Sequence, residues 1–305
     1  MTSILEKILG NPAYKELDKK LIEKAFGVAK LAHAGQKRLS GEEYLSHPLH
    51  VAYFLSELGL DSATVAAGIL HDTIEDTQVT HKDLEKEFGK DIAFLVEGVT
   101  KLSKIEYGGN PNEKKNNTEH LNSLKKMFFA MAEDIRVILI KLADRYHNME
   151  TLRYKNEANQ KKIALETLEI YAPIAARLGM GRLKGQLEDM AFPYVYPLEY
   201  SQLIKKVKEK YADRLKYIDR TRPIIKRYLT NANIPILEIN SRAKHYYSLY
   251  GKMLRKEMDI DKIFDLVAMR IIVPDIKSCY EALGVIHKFY KPLPGLIKDY
   301  IALPK

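Results

Sequence analysis

His71-Asp72-Thr73-Ile74-Glu75-Asp76-Thr77 follows directly on the apolar run Ala66-Ala67-Gly68-Ile69-Leu70. A helical reading puts His71 one turn from Glu75 and Asp72 one turn from Asp76. An imidazole and three carboxylates then share one rim of a helix whose other face must be buried. Gathering them costs free energy unless a cation neutralises some of the charge or water solvates the rim. Two readings stand at this point: a metal site with spare acid/base groups, or a solvated acidic helix end.

Upstream, Leu21, Ala25, Val28 and Leu31 recur at helical spacing. A polar loop, residues 35–44, has glycine at Gly35 and Gly41 and leads to a helix with Ser46 as N-cap and Pro48 near its first turn. His47 sits at the mouth of that helix, where a lone histidine is more often a capping or packing residue than a ligand. Asp61 or Ser62 caps the helix that carries the heptapeptide, and Thr80 with Asp83 spells a capping box for the next, which Gly89 ends. Residues 106–118, with Tyr-Gly-Gly-Asn-Pro-Asn, read as a long polar loop. Beyond it, the apolar density of residues 137–142 marks a central helix that continues into Asp144, Arg145, Tyr146, His147 and Asn148. A carboxylate directly after so buried a run needs a partner, and a metal ion is one. Residues 160–192 continue as helix with a break at Gly179, and no strand pattern precedes residue 233. The first part of the chain is therefore expected to be all-α.

The pattern then changes. Residues 197–230 are amphipathic and basic, residues 234–239 and 263–273 have strand character, and residues 244–257 and 276–289 read as helices. That alternation predicts a second, α/β domain. The charge is divided in the same way: residues 1–195 hold 27 Lys and Arg against 28 Asp and Glu, residues 196–305 hold 22 against 12. A basic last third suits a polyanionic partner such as a nucleotide or RNA, although the lysines of residues 205–210 also fit a solvated helix. The 305 residues contain a single cysteine, Cys279, so no disulfide framework or thiolate metal site forms within one chain. With no basic leader followed by an apolar stretch and no span of ~18 apolar residues, the chain is expected in the reducing cytoplasm.

His47, His71, Asp72 and Asp144 are the candidate ligands, each at the end or in the interior of a helix whose other face is apolar. Two imidazoles and two carboxylates suit manganese, iron, zinc or, in vitro, nickel. Without thiolates a structural zinc site is disfavoured. Glu75 and Asp76 stay outside that set, free to orient or deprotonate water.

The order His47, His71-Asp72, Asp144 resembles the signature of the HD-domain metal-dependent phosphohydrolases. Gly35-Gln36-Lys37-Arg38, Ser46-His47-Pro48-Leu49, the heptapeptide, Leu142-Ala143-Asp144-Arg145-Tyr146-His147-Asn148-Met149 and Tyr171-Ala172-Pro173-Ile174-Ala175 together resemble the long RelA/SpoT homologues, the enzymes of the alarmone (p)ppGpp. The likeness runs over nearly the whole chain. It implies an all-α HD-domain phosphohydrolase fold over 1–195, a basic helical linker over 196–230, and an incomplete (p)ppGpp synthetase domain, a partial nucleotidyltransferase-like α/β fold, over 231–305. The activity it implies is manganese-dependent removal of the 3′-pyrophosphate of ppGpp or pppGpp, giving GDP or GTP and pyrophosphate. His47, His71, Asp72 and Asp144 would hold manganese, Glu75 and Asp76 would activate water, and Arg38, Ser40, Asn148 and Thr151 would contact base and ribose. Leu39 departs from the basic residue often found there.

In the last third, Arg242, Lys244, Ser248 and Lys252 resemble the synthetase's ATP-binding loop and helix, and Asp265 its magnesium-binding aspartate. Magnesium is expected only if that domain is complete. Ser241 replaces a glycine, Gly251 a commonly basic residue, and Leu296 an arginine, and the family's guanine-stacking tyrosine segment and second metal-binding glutamate are expected beyond Lys305. The expectation is therefore a hydrolase without synthetase activity and, lacking later regulatory regions, without ribosome contact. The alternatives are a bifunctional synthetase/hydrolase, a non-catalytic alarmone sensor and a general HD phosphohydrolase. The complete ligand set with Glu75 and Asp76 argues against the sensor, and the flanking motifs against the general enzyme. Oligomeric state is left open.

Overall fold

The computed structural model describes residues 2–103, 133–254 and 266–304, and these divide into two compact units, Met1–Val195 and Tyr196–Lys305. The loop expected over 106–118 lies outside the described residues. In the first unit every described regular element is helical: α1 (Thr2–Leu9), α2 (Glu16–Ala32), α3 (Ser46–Glu57), α4 (Ser62–Leu70), the single turn α5 (Thr73–Asp76), α6 (His81–Phe88), α7 (Lys90–Ser103), α8 (Ile135–Glu150), α9 (Glu157–Glu166), α10 (Ala172–Arg177) and α11 (Gly181–Val195). An isolated antiparallel bridge, Lys37 to Glu43, closes the loop between α2 and α3.

The chain's own start and stop signals place these helices. Asp61 caps α4 by accepting from the Thr64 amide at 2.9 Å, Thr80 and Asp83 form a reciprocal capping box on α6, and Gly89 ends that helix at φ +85°. Ser46, expected as the cap of α3, is instead its first helical residue, and Leu45 before it is already in the right-handed helical region. The heptapeptide is not one helix either. α4 stops at Leu70, His71 and Asp72 form a turn, and α5 adds only one turn more. In α2 the buried stripe is Ile22, Ala25 and Ala29, while Leu31 is exposed. The helix expected over 160–192 is interrupted before Gly179 by a π turn at Thr167–Tyr171.

α4 is apolar all round and lies at the centre, against α2, α3, α7 and α8. It lies tight against α3 at Gly68: a Cβ there would lie 2.5 Å from Leu55 Cδ1. Leu49, Leu55, Ile69, Leu70, Leu95, Ile138, Ile140 and Leu142 fill the surrounding core without exposure beyond 1%. Arg136 fastens the first turn of α8 to α7 through Asp91 at 2.7 Å and braces itself on Asp134. The result is a rigid frame in which the C-terminal end of α4, the first turn of α3 and the last turns of α8 meet.

The second unit is thinner. β1 (Glu238–Ala243) and β2 (Val267–Ile272) pair antiparallel with Asn240 opposite Arg270 and Arg242 opposite Ala268. They are joined by α12 (Pro197–Asn231), α13 (Tyr246–Leu254) and α14 (Ile276–Phe289). α12 was expected to be a linker, but Ile225 and Leu229 on its C-terminal half pack with Ile234 and Ala282. It therefore belongs to the unit's core. β1 also begins four residues later than the strand expected at 234 and runs through Ser241-Arg242, because pairing with β2 sets the register. Among the described residues no helix is long and apolar enough to cross a membrane.

Candidate metal centre

The first turn of α3, the turn after α4 and the last turns of α8 bring His47, His71, Asp72 and Asp144 together. His47 Nε2 lies 3.2 Å from Asp144 Oδ1 and 3.6 Å from Asp72 Oδ2. His71 Nε2 lies 3.0 Å from Asp72 Oδ1 and 4.0 Å from Asp144 Oδ1. One atom each from His47, His71 and Asp144 falls within 4.8 Å of the others, close enough to hold one ion, and Asp72 borders the same space. The four sequence candidates thus converge, although they come from positions nearly 100 residues apart.

The residues fit a divalent cation. His71 Nδ1 contacts the Gly68 carbonyl oxygen at 2.8 Å, which fixes a hydrogen there and turns Nε2 toward the carboxylates. That Nε2 is buried with no hydrogen-bond partner, its approach to Asp72 being close but not aligned. Such an orphan is what a ligand atom awaiting a cation looks like. Burial pushes His71 down, but the Asp72 and Asp144 carboxylates outweigh it and raise the ring to about 9. For His47 burial prevails over Asp144 and the ring is held below its usual value. Burial would raise Asp144, yet the Lys141 ammonium, with His47 and His71, holds it well below the carboxylate range. Lys141 Nζ is 2.7 Å from Asp144 Oδ2, and Asn148 Nδ2 donates to Asp144 Oδ1. The field of the two carboxylates therefore collects positive charge between the imidazoles.

Around this floor opens a cleft of about 640 Å³. Glu75 and Asp76 are exposed on its rim. Tyr44 ties rim to floor: its hydroxyl lies 2.7 Å from Asp72 Oδ2 and 2.6 Å from Asp76 Oδ2, and its one hydrogen can be donated to only one of them at a time. Burial, reinforced by both carboxylates, raises the phenol far above its usual value. Arg38 reaches in from the loop after α2, donating to His147 Nδ1 at 3.2 Å, to Thr151 Oγ1 at 3.1 Å and to Asn148 Oδ1 at 3.4 Å. Ser40 also lines the cleft, beside Glu42. Asn148 and Thr151 thus hold Arg38 and Asp144 in place. Opposite them, Arg145 pairs with Glu166 at 2.9 Å and lies 4.1 Å over the Tyr171 ring, at the π turn.

Tyr44, Lys141 and His147 were not singled out in the sequence. Lys141 carried a signal, a cation inside the apolar run of α8 three residues before Asp144. His147 is buried and its Nδ1 is 2.7 Å from His47 Nδ1. Burial, then the neighbouring His47, His50 and Arg38, pull it down to about 2.

In the second unit Arg242 stands on β1, and Lys244 follows it with its amide donating to the Leu266 carbonyl at 2.9 Å. Ser248 and Lys252 lie one turn apart on α13, half-buried. Asp265 lies outside the described residues. Ser241 is engaged by Arg222 Nη2 at 2.8 Å.

Residues 25–181 match the HD domain model and residues 241–305 match the region found in RelA / SpoT proteins. A GTP pyrophosphokinase of Myxococcus xanthus is 48% identical over 94% of this chain and 38% of its own length. A guanosine-3′,5′-bis(diphosphate) 3′-pyrophosphohydrolase of Aquifex aeolicus is 44% identical over 99% of this chain and 42% of its own. The bifunctional (p)ppGpp synthase/hydrolase SpoT of Escherichia coli K12 is 46% identical over 94% and 40%. The chain thus spans about two fifths of the length of these relatives. The chain belongs to the HD-domain family and, with the region that follows, to the RelA/SpoT type.

Proposed function

We propose that the first unit hydrolyses the 3′-pyrophosphate of ppGpp or pppGpp, giving GDP or GTP and pyrophosphate, with manganese held by His47, His71, Asp72 and Asp144. The observation that carries this reading is the convergence of two imidazole Nε2 atoms and two carboxylates under a cleft rimmed by Arg38 and the exposed pair Glu75 and Asp76. The names borne by the Aquifex and Escherichia coli relatives support the substrate. When bound, manganese supplies Lewis-acid charge that acidifies water and offsets negative charge on the pyrophosphate. Glu75 and Asp76 take the proton of the attacking water as its oxygen bonds to phosphorus. The bond from that phosphorus to the ribose 3′ oxygen breaks, and the departing oxygen takes up a proton. Tyr44 keeps Asp76 beside the floor of the cleft, and Arg38 offers a planar cation to the purine.

Pyrophosphate release from ppGpp tests this directly. Turnover that requires manganese and is lost in both Asp72→Ala and Glu75→Ala, with the ion still bound by the Glu75 variant, separates ligand from base. Bound ppGpp without turnover would overturn the reading.

A second reading, a bifunctional synthetase/hydrolase, is favoured by the match of residues 241–305 and by the names of two relatives. Ser241, Gly251 and Leu296 support a hydrolase alone. Transfer of pyrophosphate from ATP to GDP distinguishes the two.

A further inference from the structure

We infer that His147 is a positioning residue that sets the ligating tautomer of His47 and the place of Arg38 through one nitrogen atom. The inference rests on the reading of His47 as a metal ligand and Arg38 as a nucleotide contact. His147 Nδ1 receives Arg38 Nη1 at 3.2 Å and stands 2.7 Å from His47 Nδ1. A guanidinium nitrogen can only donate, so His147 Nδ1 carries a lone pair. The hydrogen in the 2.7 Å contact then belongs to His47 Nδ1. A neutral imidazole has one N–H, which leaves His47 Nε2 bare and facing Asp144 Oδ1 and Asp72 Oδ2.

At His71 the corresponding nitrogen, Nδ1, is held by a different route, through the Gly68 carbonyl. That device is backbone, while the device for His47 is a side chain and can be replaced. His147 is only 5% exposed, and the ring of His50, itself tied to the Ser46 carbonyl oxygen at 2.7 Å, stacks on it with centroids 4.6 Å apart. The ring is therefore fixed in its plane. Arg38 is 109 residues away in sequence and His47 is 100, so one lone pair joins the arginine to the ion site.

The test compares His147→Leu, which keeps bulk without an acceptor, with His147→Asn, whose Oδ1 can stand near the lost Nδ1. Manganese affinity is measured by calorimetry without nucleotide, on variants whose fold is checked by circular dichroism. His147→Leu should weaken manganese by about 10–100-fold, the range for lost partners of ligating histidines. His147→Asn should stay within a few-fold of the parent. With ppGpp, His147→Leu should also raise KM, and its effect should be non-additive with that of Arg38→Ala. A folded His147→Leu with parental manganese affinity overturns the inference, as does an Asn variant as weak as the Leu one. If manganese affinities order as expected while the parent releases no pyrophosphate from ppGpp, the hydrolase reading fails and the positioning role stands.

Discussion

In Met1–Val195 a cluster of titratable groups lies inside: His47, His71, Lys141, Asp144 and His147 are all at most 9% exposed and answer one another. In Tyr196–Lys305 no charged residue is buried among the described residues, and the two-stranded sheet and three helices have a sheet-side core of Ile225, Leu229, Ile234 and Ala282, with Leu237, Ile276, Phe289 and Leu293 exposed. The difference teaches what a buried polar cluster requires. Desolvated charges are tolerated only where many apolar side chains hold the partners in register, since the interaction must repay the loss of water. Four helices around α4 supply that frame. Described basic residues of the second unit such as Arg214, Lys277 and Lys288 are exposed instead, where they can meet a polyanion without being pre-arranged.

The largest effect should follow from Asp144→Ala. It removes a candidate ligand and leaves Lys141 buried without that carboxylate. Manganese should no longer raise the melting temperature of the first unit, pyrophosphate release should fall below detection, and that unit should lose about 3 kcal/mol. The unfolding of the second unit should not move. A manganese-dependent shift retained in this variant would break the contrast at its strongest point.

Why some of this was legible in the sequence follows from range. The candidate ligands stood out because each ends or interrupts an apolar stretch, and caps such as Asp61 and Thr80-Asp83 act within three residues. Tyr44 is different: its partners are 28 and 32 positions away, and nothing near it in sequence marks them. His147 looked like any histidine on a helix until α3 was placed beside α8. The heptapeptide suggested a continuous helix because His71 and Asp72 keep nearly helical dihedrals, and only the geometry reveals the turn between α4 and α5. In the second unit the first strand was placed too early because Ile234 and Ile236 are apolar, though they pack on α12's cluster ahead of the ladder.

Leu229→Ala sharpens the same comparison from the other side. Leu229 is fully buried in a small cluster, so its truncation should cost about 3 kcal/mol, confined to the second unit. Amide hydrogens of β1 and β2 should exchange faster while those of α3 and α4 keep their protection. Equal acceleration in both units would show that they share one core.

The smallest effect concerns Tyr14, whose hydroxyl donates to the Leu60 carbonyl oxygen at 2.8 Å. Tyr14→Phe should cost the first unit about 1 kcal/mol. Burial, with Asp61 and Asp18 adding to it, raises the phenol from 10.0 to about 12. The unfolded chain therefore releases this proton before the folded one, and stability should fall as pH rises from 10 toward 12. The Phe variant should show a shallower fall over that interval, measured by denaturant titration at each pH.

Gly68 carries a consequence for anyone wishing to retune the ion proposed for this centre. Its missing side chain lets α4 lie against Leu55 of α3, and its carbonyl aims His71. The gap between the two imidazoles is thus gauged by a hydrogen atom three residues before His71. Redesign of the bite should begin with the spacer, since exchanging the ligands changes the jaws of the calliper and leaves its setting untouched.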